Sequence, residues 1–405
     1  MSGRRVVALD IGSSTVRCAV AEADGGRLRV LGVGTAPSAG LRKGLVVDQE
    51  ALVPAIMAAV EGAERTSGVL VDTVVLGISG AHVSAFEREA VVSVGGRDGR
   101  VTAADVNRVL DGARAVPIPE GQELVHLIPR GYLVDGGSAL RDPVGVPGAR
   151  LEVAAHLVTA GSGPISSLVA ATHAAGLQIE DVVVGALAAA EGVIRDVELD
   201  RAVAVADVGG GTTDVAVFSG AAICHTAVLP IGGHHVTMDL AAGLHCELAE
   251  AEQLKLRYGH CDPSALRADE VVTVHGAAGS GPREVTRRQL VDIIEPRAHE
   301  LARLIGRELT RAAVAGAPLE RLILSGGTVC LEGFPQVLHR ILEVPVRVAV
   351  PEGLQGLADQ LALPGDATAA GLLHWGARSE ARRDRSNTRS AGTAGRLNRW
   401  FHDLF

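Results

Sequence analysis

A two-lobed α/β protein is what this chain predicts, and three observations carry the prediction. The pattern Asp-x-Gly-x-x-Thr occurs twice, as Asp10-Ile-Gly-Ser-Ser-Thr15 and as Asp207-Val-Gly-Gly-Gly-Thr212. Each copy follows a run of small apolar residues, VVALD or AVAVAD, and leads into another, so each reads as strand, glycine turn, strand. A third strand and glycine turn, LERLILSGGTVCLEGF, spans residues 319–334. Consecutive glycines let backbone N–H groups converge without interference from Cβ, which is what a polyphosphate requires of a loop. One such hairpin reads equally as an ordinary turn. Two with the same internal spacing indicate two lobes with a nucleotide between them.

Bulk properties narrow the class. A chain of 405 residues buries large cores and favours more than one domain. Its net charge of −9 argues against wholesale nucleic-acid binding. The five cysteines, at 18, 224, 246, 261 and 330, form no CxxC and fit free thiols in a reducing compartment. Cys224-His225, His245-Cys246 and His260-Cys261 lack the ligand spacing of a zinc site. The start, MSGRRVVALDIG, is too poor in apolar residues for a signal peptide, and no uncharged apolar run approaches the ~20 residues that span a bilayer. A cytosolic protein is expected. Lysine occurs only at Lys43 and Lys255, every other cationic side chain of that class being arginine. That hints at a need for a compact ammonium at those two places.

In chain order, residues 1–80 read as first-lobe core: strands around the first hairpin, a helix from Gln49 to Thr66 and a buried strand at 71–80. Residues 81–161 read as an inserted β-α-β-β module, its helix capped by Thr102 before Asp105. His126 and His156, inside apolar runs, read as packed, hydrogen-bonded histidines and not as ligands. First-lobe core resumes over 162–200 with a helix at 164–177, a strand and a small-residue hinge helix at 185–194. Glu191 is the only acidic residue in the body of that hinge helix. It either orients a water or lies on a solvated face.

Second-lobe core covers 201–232, where Asp207 at a strand end suits a hydrated Mg²⁺ facing phosphates. Residues 233–311 form a second insertion, helical in character. In it Glu252 and Lys255 lie one turn apart on one helix face, placed for a nucleotide's ribose and phosphates or as a surface pair. Core continues over 312–365, with Gly326, Gly327 and Thr328 opening a helix whose N-terminus suits the adenosine side of a nucleotide. Residues 366–377 return to the first lobe as a partner for the hinge helix.

Residues 378–395 are polar and arginine-rich and read as a flexible linker. The last ten, RLNRWFHDLF at 396–405, place Leu397, Trp400, Phe401, Leu404 and Phe405 within an arc of about 140° of a helix. So short a helix is marginal in water. It either docks on its own core or inserts at a membrane surface, and the long polar leash and flanking arginines favour the membrane.

Together these stretches resemble the actin and sugar-kinase superfamily and, within it, the FtsA family of bacterial cell-division proteins. The resemblance rests on both hairpins, on Ser325 to Glu332, and on GLRKGLVVD, LGISGAHVS, VHLIPRGYLVDG, DPVGVPGARLEVAAHLVT, IIEPR and the amphipathic C-terminus. It implies an actin-like ATPase fold that binds ATP and Mg²⁺, with at most slow ATPase activity. It implies phosphate contacts from Gly12, Ser13, Ser14, Gly209, Gly210, Gly211, Thr212 and Thr213, and base and ribose contacts from Glu252, Lys255, Gly326, Gly327 and Thr328. Asp10 and Asp207 would hold Mg²⁺ through water, with Glu191 beside them in catalysis. Leu397, Arg399, Trp400, Phe401, Leu404 and Phe405 would bind anionic lipid.

The implied partners are further copies of the chain, later division proteins through the 81–161 insertion, and the C-terminal peptide of FtsZ through 233–311. The implied place is the cytoplasmic face of the inner membrane at the septum, with no role for nucleic acid. A small-molecule kinase and an actin-like pilus-assembly adaptor share the nucleotide motifs and remain alternatives.

Overall fold

The computed structural model describes residues 3–387, apart from 97, 200, 221, 268–269, 277–280 and 314–318. The first lobe opens with a meander of β1 (Arg4–Ile11), β2 (Thr15–Asp24) and β3 (Arg27–Pro37). A short hairpin, β4 (Leu41–Arg42) and β5 (Leu45–Val46), leads into α1 (Gln49–Ser67). Asp48 caps α1 by accepting from the Ala51 N–H, and Gly68 ends it in the left-handed region. Leu52, Ile56, Ala59, Val60 and Ala63 form its buried stripe, which packs on β2 and β3. β6 (Thr73–Ile78) follows.

The inserted module comprises β7 (Val83–Ser93), α2 (Ala103–Arg114), β8 (Gln122–Val134) and β9 (Arg150–Gly161). Its antiparallel sheet has the order β7-β9-β8 and, with α2, encloses a separate core around Val109, Leu110, Tyr132 and Leu151. Thr102 and Asp105 form a reciprocal capping box at the start of α2. α3 (Ser162–Ala174), β10 (Gln178–Val184) and α4 (Gly185–Val193) complete this pass through the lobe. The two inserted histidines are packed: His126 Nε2 accepts from the Val184 N–H at 3.1 Å, and His156 Nε2 pairs with Thr226 Oγ1 at 3.0 Å.

The second lobe repeats the plan. β11 (Val203–Val208), β12 (Thr213–Ser219) and β13 (Ala222–Leu229) form its meander. Then come α5 (Gly233–Leu244), α6 (Leu248–Tyr258), the hairpin β14 (Val271–His275) and β15 (Pro282–Thr286), and α7 (Arg287–Ala313). β16 (Arg321–Ser325), α8 (Phe334–Leu342) and β17 (Val346–Val348) close the lobe. The chain returns to the first lobe with β18 (Leu354–Gly356) and α9 (Ala367–Asn387).

Among the described residues the two large sheets run β10-β6-β1-β2-β3-β18 and β13-β12-β11-β16-β17. In each, the strand that ends in the Asp-x-Gly turn has an antiparallel neighbour, β2 or β12, and a parallel one, β6 or β16. The repeated motif is therefore a repeated sheet.

Four features depart from expectation. The 233–311 insertion contains the β14–β15 hairpin, not helices alone. The return to the first lobe begins at β18, which pairs with β3 well before residue 366. Residues 327–330 form a 3₁₀ turn, and the following helix, α8, starts only after Gly333. Finally, α9 runs on to Asn387, so 378–387 is helix and not linker. Its alanines, arginines and glutamate are good helix formers, and the buried first half of α9 supplies the nucleus that an isolated polar segment lacks. Residues 388–395 of the expected linker, and Leu397, Arg399, Trp400, Phe401, Leu404 and Phe405, lie outside the described residues.

Candidate functional site

The two glycine turns face each other across the cleft between the lobes. Each closes with the same hydrogen bond: Gly12 N–H to the Thr15 carbonyl at 3.0 Å, and Gly209 N–H to the Thr212 carbonyl at 2.9 Å. A Cβ at Gly210 would stand 2.1 Å from Ser14 Oγ, and one at Gly211 would stand 2.4 Å from Ser13 Oγ. Glycine at both positions permits this approach with the two serines as they stand. Both turns line a cavity of about 750 Å³ that continues past Thr15, Gly233, Glu252, Lys255, Gly326, Gly327 and Thr328. That volume lies within the range of small-molecule sites.

Carboxylates form the floor. Sheet register sets Asp10 opposite Arg17 and Asp207 opposite Asp214. Asp207 accepts from Thr368 Oγ1 at 3.0 Å. Asp214, 4 % exposed, accepts from Ser79 Oγ at 2.6 Å through Oδ2, while among the described residues its Oδ1 has no hydrogen-bond partner. Arg17 pairs with Asp366 at 2.9 Å, donates to the Gly365 carbonyl at 2.9 Å and stands 3.9 Å from Asp10.

Burial dominates the ionisation of these acids. It raises Asp10 to about 6 against the pull of Arg17, with Asp207 and Asp366 adding to the rise. It raises Asp214 to about 8, opposed by the Ser79 hydrogen bond and reinforced by Asp207. Asp207 is also raised by burial, with the Thr368 hydrogen bond among the effects holding it down. Among the described residues Arg17 is the guanidinium set beside these acids, so a bound cation would favour their charged forms. Among the described residues no group of three or more His, Cys, Asp or Glu is arranged to ligate a metal directly. The cluster suits a cation that keeps its water.

On the far wall, Lys255 Nζ donates to Glu252 at 2.7 Å, to Thr237 Oγ1 at 2.9 Å and to the Gly233 carbonyl at 3.3 Å. Burial works to raise the Glu252 carboxyl, but Lys255 and Thr237 together hold it below its ordinary value. Thr328 Oγ1 donates to the Gly209 carbonyl at 2.8 Å and ties the third turn to the second hairpin.

Thus Asp10, Gly12, Ser13, Ser14, Asp207, Gly209, Gly210, Gly211, Thr212, Glu252, Lys255, Gly326, Gly327 and Thr328 all line the cavity. Two expected residues do not. Thr213 faces the second-lobe core, donating to the Ile231 carbonyl at 2.8 Å, because strand alternation turns it away from Thr212 and Asp214. Glu191 pairs with Arg378 where α4 meets α9, its side chain 7 % exposed, so it is neither a water-orienting group of the cavity nor a solvated residue. Ser79, Arg17, Asp214 and Thr368 line the cavity without having been singled out. Asp214 and Arg17 each lie seven positions after a motif aspartate and directly opposite it across the hairpin, so the pairing register of the two strands, and not alternation along one strand, is the signal that marks them.

The chain matches the family model described as cell division protein FtsA over residues 204–371. The model for the SHS2 domain inserted in FtsA matches residues 80–159. The FtsA of Pseudomonas aeruginosa is 36% identical over 381 residues, covering 94% of this chain and 91% of its own. That of Escherichia coli is 33% identical over 413 residues, covering 99% and 98%. That of Bacillus subtilis is 32% identical over 373 residues, covering 92% and 83%.

Among solved structures, the PilM-PilN type IV pilus biogenesis complex aligns with a TM-score of 0.66 at 20% identity, covering 92% of this chain and 98% of that one. MreB5 of Spiroplasma citri bound to ADP aligns with a TM-score of 0.53 at 13% identity, covering 96% and 99%. These two likenesses concern the fold; the sequence relationships decide the family. The chain belongs to the FtsA family of actin-like bacterial cell-division proteins.

Proposed function

We propose that this protein binds ATP in the interlobe cavity and polymerises on the cytoplasmic face of the inner membrane. There it tethers the FtsZ ring to the septum and helps recruit later division proteins. The observation that carries the nucleotide part is the pair of facing glycine turns over a floor of buried carboxylates. The turns offer backbone N–H groups to phosphate oxygens, while Glu252, Lys255, Gly326, Gly327 and Thr328 line the opposite side for ribose and base. Asp10 and Asp207 would hold Mg²⁺ through its waters, and the bound ion would neutralise charge on the phosphates and on the acids. Asp214, with Oδ1 unpartnered, is better placed than Glu191 to touch a water in the cavity.

Membrane attachment falls to Leu397, Arg399, Trp400, Phe401, Leu404 and Phe405, whose spacing gives one apolar face flanked by arginine. The 83–161 module would serve subunit contacts and later division proteins, and the α5–α7 region the FtsZ peptide. Co-sedimentation with anionic vesicles tests this reading, comparing the full chain with a truncation after Gly395, each with and without ATP. We expect only the full chain to pellet. If the truncated chain pellets equally, or neither does, the anchor assignment is withdrawn.

A further inference from the structure

Of the two lysines, Lys255 has its ammonium compensated by Glu252. Lys43 does not. It occupies the turn between β4 and β5 with φ of 53°, a left-handed conformation that costs a non-glycine residue free energy. The turn is held by close backbone packing on both sides. A Cβ at Gly40 would lie 1.9 Å from the Asp48 carbonyl oxygen, and one at Gly44 would lie 1.9 Å from that of Ser79. The strained residue is therefore fixed in place.

Its position is at the cavity's rim. Leu41 and Gly44, on either side of it, line the cavity. Its backbone nitrogen is 3.3 Å from where a Cβ of Gly211 would stand, at the tip of the second-lobe hairpin. Its charge also crosses the cleft: the His235 imidazole, in the first turn of α5, is held low by burial and then by Lys43. Arg297 and Asp239 also act on that imidazole, and Asp239 is itself paired with Arg297 at 2.7 Å. Lys43 is half-buried, and among the described residues its ammonium makes no ion pair or hydrogen bond. A cation held in a strained turn, unpaired, beside a loop of bare N–H groups is arranged for an anion that the protein does not supply.

We propose that Lys43 contacts the terminal phosphate of a nucleoside triphosphate, so that the first-lobe hairpin distinguishes the triphosphate from the diphosphate. The inference rests on the nucleotide reading above. The groups on the base and ribose side, Glu252, Lys255 and Gly327, line the second-lobe wall, whereas the Lys43 backbone meets Gly211 at the tip of the second-lobe hairpin. The outermost phosphate would lie beside that tip. A diphosphate would leave the ammonium without its partner, and the first lobe without that hold on the second.

Calorimetric titration of the full chain with Mg-ATP and with Mg-ADP tests this, on wild type, Lys43→Asn and Lys43→Gly. Both variants remove the ammonium and accept a left-handed backbone, and Lys43→Gly relieves the strain, so at least one should fold as wild type does. We expect ATP affinity to fall at least about tenfold in both, the loss of a charged hydrogen bond, with ADP affinity changed by less than about twofold. Equal losses for both nucleotides, or none, would overturn the assignment to the terminal phosphate while leaving the site standing. A wild-type protein that binds neither nucleotide would overturn both.

Discussion

Asp207 and Asp214 share one β-hairpin, sit opposite each other in register and are both driven by burial toward the neutral form. Asp207 is nevertheless the one tied to the returning segment, through Thr368. Asp207→Ala should weaken Mg-ATP binding by at least about tenfold, the cost of losing a charged group that orders the ion's waters. Unchanged affinity in a direct titration would remove Asp207 from the site. Asp214 makes a different prediction. Its pKa rises from 3.8 unfolded to about 8 folded, so the folded state binds the proton more tightly. Its stabilising contribution is complete below the unfolded value and is lost as pH rises toward the folded one. The ligand-free protein should therefore melt lower at about pH 8 than at about pH 5, and Asp214→Asn should flatten that slope. Asparagine still accepts from Ser79, so the geometry survives the test. Identical slopes in the two proteins would show that Asp214 is ionised throughout.

At the scale of elements, the hinge depends on two small-residue helices in close contact. A Cβ at Gly371 of α9 would lie 1.6 Å from the Ala188 carbonyl of α4, and one at Gly192 would lie 2.3 Å from the Ala367 carbonyl. Gly371→Ala must separate the helices, an overpacking that typically costs about 1–3 kcal/mol. We expect a lower melting temperature and, because α9 carries Thr368 to Asp207, weaker nucleotide binding with it. A variant as stable as wild type would mean that the hinge opens freely. The same α4–α9 seam accounts for Glu191, whose carboxylate serves Arg378 and not the cavity.

For the whole molecule, the cleft is held at more than one point. Arg17 on the first-lobe hairpin reaches Asp366 and Gly365 of the returning segment, and Thr368 of that segment reaches Asp207 in the second lobe. The inserted module adds a separate seam, with His156 on Thr226 of β13. A change in separation of the lobes would thus be felt at the module that the proposed assembly uses. Self-association also bears on the proposed attachment. One short amphipathic helix binds a bilayer weakly and reversibly, so stable tethering requires several linked copies. Vesicle binding by the full chain should accordingly steepen with protein concentration when ATP is present. A simple single-site curve would separate anchoring from polymerisation.

Some of this was written locally in the chain. The hairpins Asp10–Thr15 and Asp207–Thr212, the helix cap at Thr102, α1 with its buried stripe and the inserted β-α-β-β order are all legible. Each depends on periodicity, turn chemistry or capping within a few residues. What only tertiary structure decided is who meets whom. Arg17 finds Asp366, and Asp214 finds Ser79 across the cleft, over sequence separations far too long for any local pattern to encode. β18, with three residues of which two are exposed, carries no hydrophobic signal and exists because β3 offers it an edge. A glycine motif taken as a string groups Thr213 with its neighbours, whereas a strand sends successive side chains to opposite faces. By composition the polar half of α9 reads as a leash, because composition records solvation, while helix continuation depends on the buried turns that precede it.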